Sequence, residues 1–277
     1  MNNNYSIGII GHGYVGESQS FAFSPSFNVK VFDKDSSKST HSLKEVLESD
    51  IIFVCLPTPM KKDGSQDLSF ISDFFNDTKK GPIYIIKSTV IPGTTNMLVN
   101  KYKNLDIIFS PEFLTERTAK LDILTQTRII LGGNKKLTNK VREIYNIRFK
   151  NKTIIQTDSL TAEFIKYMNN TFFASKVSIM NEFYRLANHL GVDWDKALYG
   201  FVSDQRIGDS HLNVPGPDGK LGFGGTCFPK DINAFISFAK QHNINMNVLE
   251  AAWKTNLEVR PERDWENLKG RAVSENE

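Results

Sequence analysis

The sequence predicts an α/β fold: a doubly wound parallel sheet followed by an all-helical region with one long helix. Three observations carry this. Short apolar runs recur at 5–10, 29–32, 51–56, 83–86, 106–109 and 128–131, separated by helix-like or loop segments. Strand–helix alternation of this kind builds a parallel sheet covered on both faces. The strand signal then fades after about residue 155, and the stretch from Asp158 to Leu190 runs without glycine or proline. The reading places one domain at 1–155 and a helical one at 156–277.

In the long stretch, Leu160, Phe164, Met168, Phe172, Ile179, Phe183, Leu186 and Leu190 keep a helical period. One helix of about 48 Å follows from ~1.5 Å per residue, capped by Asp158 or Ser159 and stopped by Gly191. So large an apolar face suggests a partner subunit, with packing inside the chain as the alternative. Further helices are expected at 193–203, 229–241 and 247–259. A loop with six glycines, Gly208 to Gly225, lies between the first two of these. The charged tail from Pro261 reads as peripheral.

Composition narrows the function. The chain has 277 residues, a net charge of +3 and two cysteines. That length can bury one large core or two modest ones. The charge is too small and too scattered to argue for nucleic acid. No apolar run approaches the ~20 residues of a membrane span. The start, "MNNNYSIGII", has neither the basic region nor the cleavage site of a signal peptide. Cys55 and Cys227 make no disulfide framework, so a reducing cytoplasm is expected.

"IGIIGHGYVGES" sets Gly11, Gly13 and Gly16 in G-x-G-x-x-G spacing directly after an apolar strand. The first glycine allows a tight turn, the second lets main chain approach a pyrophosphate, and the third lets the helix pack closely. The helix N-terminus then offers N–H donors to phosphate. With Tyr14 and Val15 between them, these residues form the expected dinucleotide loop of a Rossmann-type domain. Asp33 ends the second strand, 22 residues after Gly11. Its carboxylate would bind ribose hydroxyls and repel a 2′-phosphate, which favours NAD over NADP. Lys34 softens that preference. Two later strand ends, "CLPTP" and "KSTVIPG", add Pro57, Thr58, Ser88 and Thr89 to the expected cofactor site. Cys55 lies within an apolar strand and reads as core packing.

"GFGGTCFPKD" (222–231) holds the second thiol. Pro229 suits the first turn of a helix, because its missing N–H would be unpaired there anyway. Cys227 then stands at a helix N-terminus, where N–H groups and the dipole favour a thiolate. Asp231 lies one turn on and could orient water or take a proton. Buried, inert cysteines are common, so a structural role is the alternative. Beside a nicotinamide, a thiol suits aldehyde oxidation through a thiohemiacetal and a thioester. "EFIKYMNNT" puts Lys166 and Asn170 on one helix face, where both could meet an oxyanion. A solvated face with Glu163 pairing Lys166 is the other reading. "SPEFLTER" ends a strand with Glu112 and Glu116 as possible bases, Glu112 being favoured and Glu116 expected at the surface.

Taken together and in order, "GxGYVG", "PTP", "KSTV-P-G", "SPEFL", "E-x-x-K-Y-x-x-N-x", "RIG" and "GFGG-x-C-x-PKD" resemble the UDP-glucose/GDP-mannose dehydrogenase family. The likeness runs from Gly11 to Asp231 and on through "EAAWKTN". It implies NAD-dependent oxidation of a nucleotide-sugar C6 alcohol to a carboxylate, with two NAD used in succession. It implies Cys227 as nucleophile, Lys166 and Asn170 on the oxyanion, Asp231 and Glu112 in proton transfer, and Thr89 positioning water. Phe113, Leu114 and Glu116 match the segment along which the nucleotide sugar lies. Phe223 and Gly224 match its glycine-loop side. Arg206 resembles an arginine that reaches the neighbouring subunit's substrate, which implies a homodimer; a surface charge is its alternative.

The chain also departs from the family pattern. Members carry a third, C-terminal domain that completes the nucleotide site, and this chain ends after the helical region. Thr115 and Arg117 stand where many members have Arg and Gly, and "GPDGK" lengthens the loop before Cys227. Two other functions stay open. One is a two-electron β-hydroxyacid dehydrogenase of the 6-phosphogluconate type, which uses a lysine without a thiol. The other is a non-catalytic NAD- or nucleotide-sugar-binding protein.

Overall fold

The computed structural model describes residues 5–275. The chain divides into two compact units. The first runs through Thr58 and resumes over Leu68–Lys166; the second takes Pro59–Asp67 and the chain from Tyr167 onward. The division at Lys166 lies inside the long helix, whereas the strand signal ends near 155. The excursion Pro59–Asp67 leaves no mark in composition.

Among the described residues of the first unit, seven strands form one sheet: β1 (Ser6–Ile10), β2 (Asn28–Phe32), β3 (Ile51–Val54), β4 (Ile83–Ile86), β5 (Asp106–Phe109), β6 (Arg128–Gly132) and β7 (Thr153–Thr157). Their order is β2-β1-β3-β4-β5-β6-β7. Six match the apolar runs. The seventh, "TIIQT", pairs with β6 at the sheet edge and is only half-buried, so it carries no sustained apolar run. Pairing is parallel from β2 to β5. β6 departs from the expected all-parallel sheet: it runs antiparallel to β5, joined through Phe109 and Gly132. Apolar runs encode burial and not strand direction, so this reversal was not readable.

Six helices cover the sheet: α1 (Tyr14–Phe23), α2 (Leu43–Val46), α3 (Ser69–Asn76), α4 (Thr94–Lys101), α5 (Ala119–Thr125) and α6 (Lys135–Arg148) among the described residues. Both sheet faces are apolar. Ile51, Phe53, Ile83 and Ile85 join the core that holds Phe23 and Tyr145. Their neighbours Ile52, Val54, Tyr84 and Ile86 join the core that holds Phe75 and Leu98. The period-2 alternation of Cβ directions makes a continuous apolar run serve two layers at once.

The long helix, α7 (Ser159–Leu190), starts and stops as expected. The Asp158 carboxylate accepts from Thr161 N–H at 2.8 Å, and Gly191 follows with φ +71°. Glu163, in its first turns, does not pair with Lys166. Its buried carboxylate accepts from Gly93 N–H at 2.6 Å and Thr95 N–H at 2.8 Å. It thereby satisfies orphan donors at the start of α4, whose N-cap glycine has no side chain to do so.

The second unit holds α7 from Tyr167 onward, α8 (Trp194–Val202), α9 (Phe228–Gln241) and α10 (Asn247–Val259). The buried face of α7 here is mostly small or polar, with Ala174, Ser175, Ser178 and Asn181 beside the larger Tyr167 and Met180. Ser178 donates to Ala252 O at 2.7 Å, and Tyr167 stacks on Phe235 at 5.1 Å. The large apolar side chains of the stripe, Leu160 to Leu190, are instead 44–66% exposed. Among the described residues no helix is long and apolar enough to cross a membrane.

The tail is not peripheral, contrary to its charged composition. Trp265 is 1% exposed and packs on Trp253 at 5.2 Å. Met60 N–H donates to Ala272 O, and Ser274 N–H donates to Met60 O. The tail thus ties the Pro59–Asp67 excursion to its own unit. One buried indole among charged residues outweighs them, because burying an aromatic stabilises more than solvated charges oppose. Trp265→Ala should therefore destabilise the second unit by about 3–5 kcal/mol. Urea unfolding followed by tryptophan fluorescence would measure it, and a change within error of zero would return the tail to the periphery.

Candidate active site

In the first unit the glycine loop is built by close contact. Gly11 has φ +86°, and a Cβ there would lie 2.6 Å from Cys55 O. A Cβ on Gly16 would lie 1.9 Å from Gly11 O, while Gly13 has nothing within 4 Å. So the first and third glycines permit the turn and the helix packing, and the second leaves main chain open to a ligand. α1 starts without a side-chain cap, as a phosphate-binding helix terminus requires. Asp33 accepts from His12 N–H at 2.5 Å and from Asp35 N–H at 2.8 Å. The acid is therefore tied to the glycine loop. These features fit a dinucleotide. Tyr14, Val15 and Pro57 are half-buried around the same strand ends, and Lys34 points to solvent. Thr58 donates to Thr89 O at 2.8 Å, and Ser88 to Leu56 O at 2.6 Å. Cys55 packs on the core, and burial pushes its thiol up to about 12, which agrees with a structural role.

A second cluster in this unit stands at the exits of β4 and β5. Lys166 Nζ donates to Glu112 O at 2.7 Å and to Glu112 Oε1 at 3.0 Å. Leu114 N–H donates to Glu112 Oε2 at 2.6 Å. Burial would raise the Glu112 carboxyl, but the Lys166 ammonium, the Leu114 N–H and the charge of Lys87 hold it below the usual range. Glu112 is therefore ionised at neutral pH. Phe113 lies between Arg128, at 4.4 Å from its ring centroid, and Lys166, at 5.4 Å. Leu114 is half-buried, whereas Glu116 is exposed as expected.

The thiol belongs to the second unit. Cys227 is the N-cap of α9, with Pro229 in the first turn, as its sequence implied. Its sulfur lies 3.7 Å from Thr226 Oγ1. Asp231 is buried one turn on. It accepts from Asn170 Nδ2 at 2.6 Å and from Lys230 Nζ at 2.5 Å. The Asn170 amide has a second N–H for another acceptor.

The loop that carries Cys227 rests on side chains that the motif reading missed. Asn181 Oδ1 accepts from Gly222 N–H at 3.0 Å. Asn256 accepts from Phe223 N–H at 2.7 Å and donates to Phe223 O at 2.9 Å. Asp264 accepts from Gly225 N–H at 3.2 Å and pairs with the buried Arg260 at 2.6 Å. A Cβ on Gly224 would lie 2.4 Å from Asp264 Oδ1. A side chain there would have to displace the Arg260–Asp264 ion pair. Asn256 ends the "EAAWKTN" stretch, and Arg260 and Asp264 have i,i+4 spacing; only that spacing offered a signal.

The structure thus joins Glu112 to Lys166 and Thr58 to Thr89 in the first unit, and Asn170 to Asp231 in the second. Phe223 is buried within the glycine loop. Arg206 joins no cluster: its side chain is 89% exposed and forms a bidentate pair with Asp204.

Known proteins resemble both units. Residues 36–148 match the NAD binding domain of the UDP-glucose/GDP-mannose dehydrogenase family, and residues 160–258 match its central domain. The chain is 36% identical to the UDP-glucose 6-dehydrogenase of Rickettsia bellii over 78% of its own length and 51% of that protein. It is 31% identical to the enzyme of the same name from Rickettsia typhi, covering 92% of this chain and 67% of that one. The chain thus spans about half the length of several curated relatives that it matches. Among solved structures, a UDP-glucose dehydrogenase from Pyrobaculum islandicum superposes with a TM-score of 0.82 at 27% identity, over 95% of this chain and 70% of that one. The chain belongs to the UDP-glucose/GDP-mannose dehydrogenase family, and its first unit is an NAD-binding domain.

Proposed function

We propose that this chain carries the chemistry of an NAD-dependent nucleotide-sugar dehydrogenase, which oxidises a C6 alcohol to a carboxylate in two steps. UDP-glucose is the substrate class that the Rickettsia relatives' names point to. The observation that carries the reading is Cys227 at the N-cap of α9, one turn before a buried Asp231 held by Asn170 and Lys230. When bound, NAD supplies a hydride acceptor, used once in each step.

The residues take the following roles. Glu112, ionised and fixed by Lys166 and Leu114, accepts the C6 hydroxyl proton through water that Thr89 orients. The C6 hydrogen leaves with its electron pair, and an aldehyde forms. Cys227 sulfur then bonds to C6, and the carbonyl oxygen becomes an oxyanion. Lys166 and Asn170, one turn apart on α7, donate to that oxygen. Loss of a second hydride restores the C=O bond as a thioester. Asp231 takes a proton from water, which attacks C6; the C–S bond breaks and the carboxylate leaves. Phe113, Leu114, Glu116, Phe223 and Gly224 line the substrate path. A reducing cytoplasm keeps the sulfur a thiol.

We also propose a homodimer through the exposed stripe of α7. Eight large apolar side chains along one helix form a patch of the kind that marks an interaction site. In the dimer Arg206 would exchange Asp204 for a substrate in the neighbouring subunit. Light scattering at micromolar concentration should give twice the chain mass. A fully active monomer would remove both the dimer and that role for Arg206.

Asp33→Ala should weaken NAD and narrow the gap to NADP, measured by fluorescence titration. Unchanged NAD affinity would mean that Asp33 does not meet the ribose. The decisive measurement is NADH formed per nucleotide sugar consumed. Four-electron oxidation gives two, a β-hydroxyacid-type reaction one, and a binding protein none. Cys227→Ala should lower acid production by orders of magnitude with little change in substrate affinity. Lys166→Ala should remove an oxyanion donor worth roughly 2.7–4 kcal/mol. The double variant should lose less than the sum of the two, because both groups act on one intermediate. Near-normal acid production by Cys227→Ala would refute the covalent route.

A further inference from the structure

Lys87 is a buried ammonium that none of the roles above uses. It follows β4 directly and is 4% exposed. Its main chain N–H donates to Val54 O at 2.9 Å, at the end of β3. Its side chain reaches the other way, to Ser110 Oγ at 3.3 Å and Pro111 O at 3.1 Å, at the exit of β5. Lys87 thus ties together three strand ends. The next carbonyl along, Glu112 O, is taken by Lys166. Two ammonium groups therefore hold two successive carbonyls and flank one carboxylate.

A buried ammonium is costly to desolvate, and a hydrocarbon of similar length would fill the same space without that cost. The hydrogen bonds and the charge are what such a group adds. We propose that Lys87 is a positioning residue for Glu112: it clamps the Ser110–Pro111 backbone so that Glu112 keeps one oxygen on Lys166 and the other on Leu114 N–H, and its charge helps to keep that carboxylate ionised. The consequence for turnover rests on the dehydrogenase reading; the hold on Glu112 does not.

Of the charged groups that act on Lys87, Glu112 attracts it and Lys166 repels it. The thiol of Cys55, the third group that acts on Lys87, is pushed above its ordinary value by burial and is neutral at pH 7. Burial pushes Lys87 itself down to about 8, against the attraction of Glu112. Because about 8 still lies above 7, Lys87 is charged at neutral pH, and it loses its charge as pH rises through about 8, well before a free lysine would. Glu112 is already ionised there, so its environment should report the loss.

The test is a carbon-13 NMR titration of the full chain, with glutamate side-chain carboxyls labelled and Glu112 assigned through Glu112→Gln, with and without NAD. The Glu112 signal should show its own low titration and a second, smaller inflection near pH 8. In Lys87→Met the second inflection should vanish and the Glu112 pKa should rise by about one unit, as loss of a close opposite charge requires. Lys87→Arg keeps the charge without titrating in range; it should abolish the inflection yet leave the Glu112 pKa nearly unchanged. It also serves if the methionine variant does not fold. In steady-state NADH formation, the acid limb of kcat/KM should move up with Glu112 in Lys87→Met and return in Lys87→Arg. A Glu112 signal that titrates identically in the parent chain and both variants would overturn the proposal, whether or not the protein turns over. If the NMR behaves as expected but no nucleotide sugar yields NADH, the dehydrogenase reading fails and the hold of Lys87 on Glu112 stands.

Discussion

A carboxylate buried in protein must find donors or lose its charge, and that constraint organises both units. Glu112 is out of water and meets Lys166 and Leu114 N–H. Asp231 meets Asn170 and Lys230. Glu163 meets two main-chain N–H groups. Removing one partner of such a buried group would leave the other uncompensated, at a cost of several kcal/mol. The long helix α7 takes part in all three: it supplies Lys166 and Asn170 as donors to Glu112 and Asp231, and it carries Glu163 as the acceptor for Gly93 and Thr95 N–H. The buried face of that helix is therefore largely polar, and the large apolar side chains of the Leu160–Leu190 stripe face outward.

Close backbone approach is the second constraint. At Gly16 and at Gly224 a single added carbon would overlap existing atoms, in one case the Gly11 carbonyl and in the other the Asp264 carboxylate. One glycine closes the dinucleotide motif within the first turn of α1, and the other lies in the loop that carries the thiol. The two loops are held differently. Main-chain contacts and the strand end hold the first. The second hangs on Asn181, Asn256, Arg260 and Asp264, residues far from it in the chain. A loop of this kind cannot be rigid by its own sequence, because its glycines have the most conformational freedom to lose.

How much of this was legible follows from range. Six strands, the 158–190 helix with its caps, the helix begun by Pro229 and the dinucleotide glycines all depend on contacts within a few residues. The family resemblance rested on the same local motifs. β7 escaped because an edge strand needs no apolar run. The tail escaped because one buried tryptophan decided its fate among charges. Lys87 stood in a quoted motif without a role, since nothing local tells a buried lysine from an exposed one.

The sequence by itself determined which segments become strands and helices, where the dinucleotide loop lies, and that a cysteine caps a helix one turn before an aspartate. These follow from periodicity, capping and glycine spacing, which act over a turn or two. Only the tertiary structure decided the direction of β6, the burial of the polar face of α7, the pairing of Lys166 with Glu112 and of Asn170 with Asp231, and the exposure of Arg206. Those depend on which distant groups arrive to solvate a charge once water has left, and no local pattern records that.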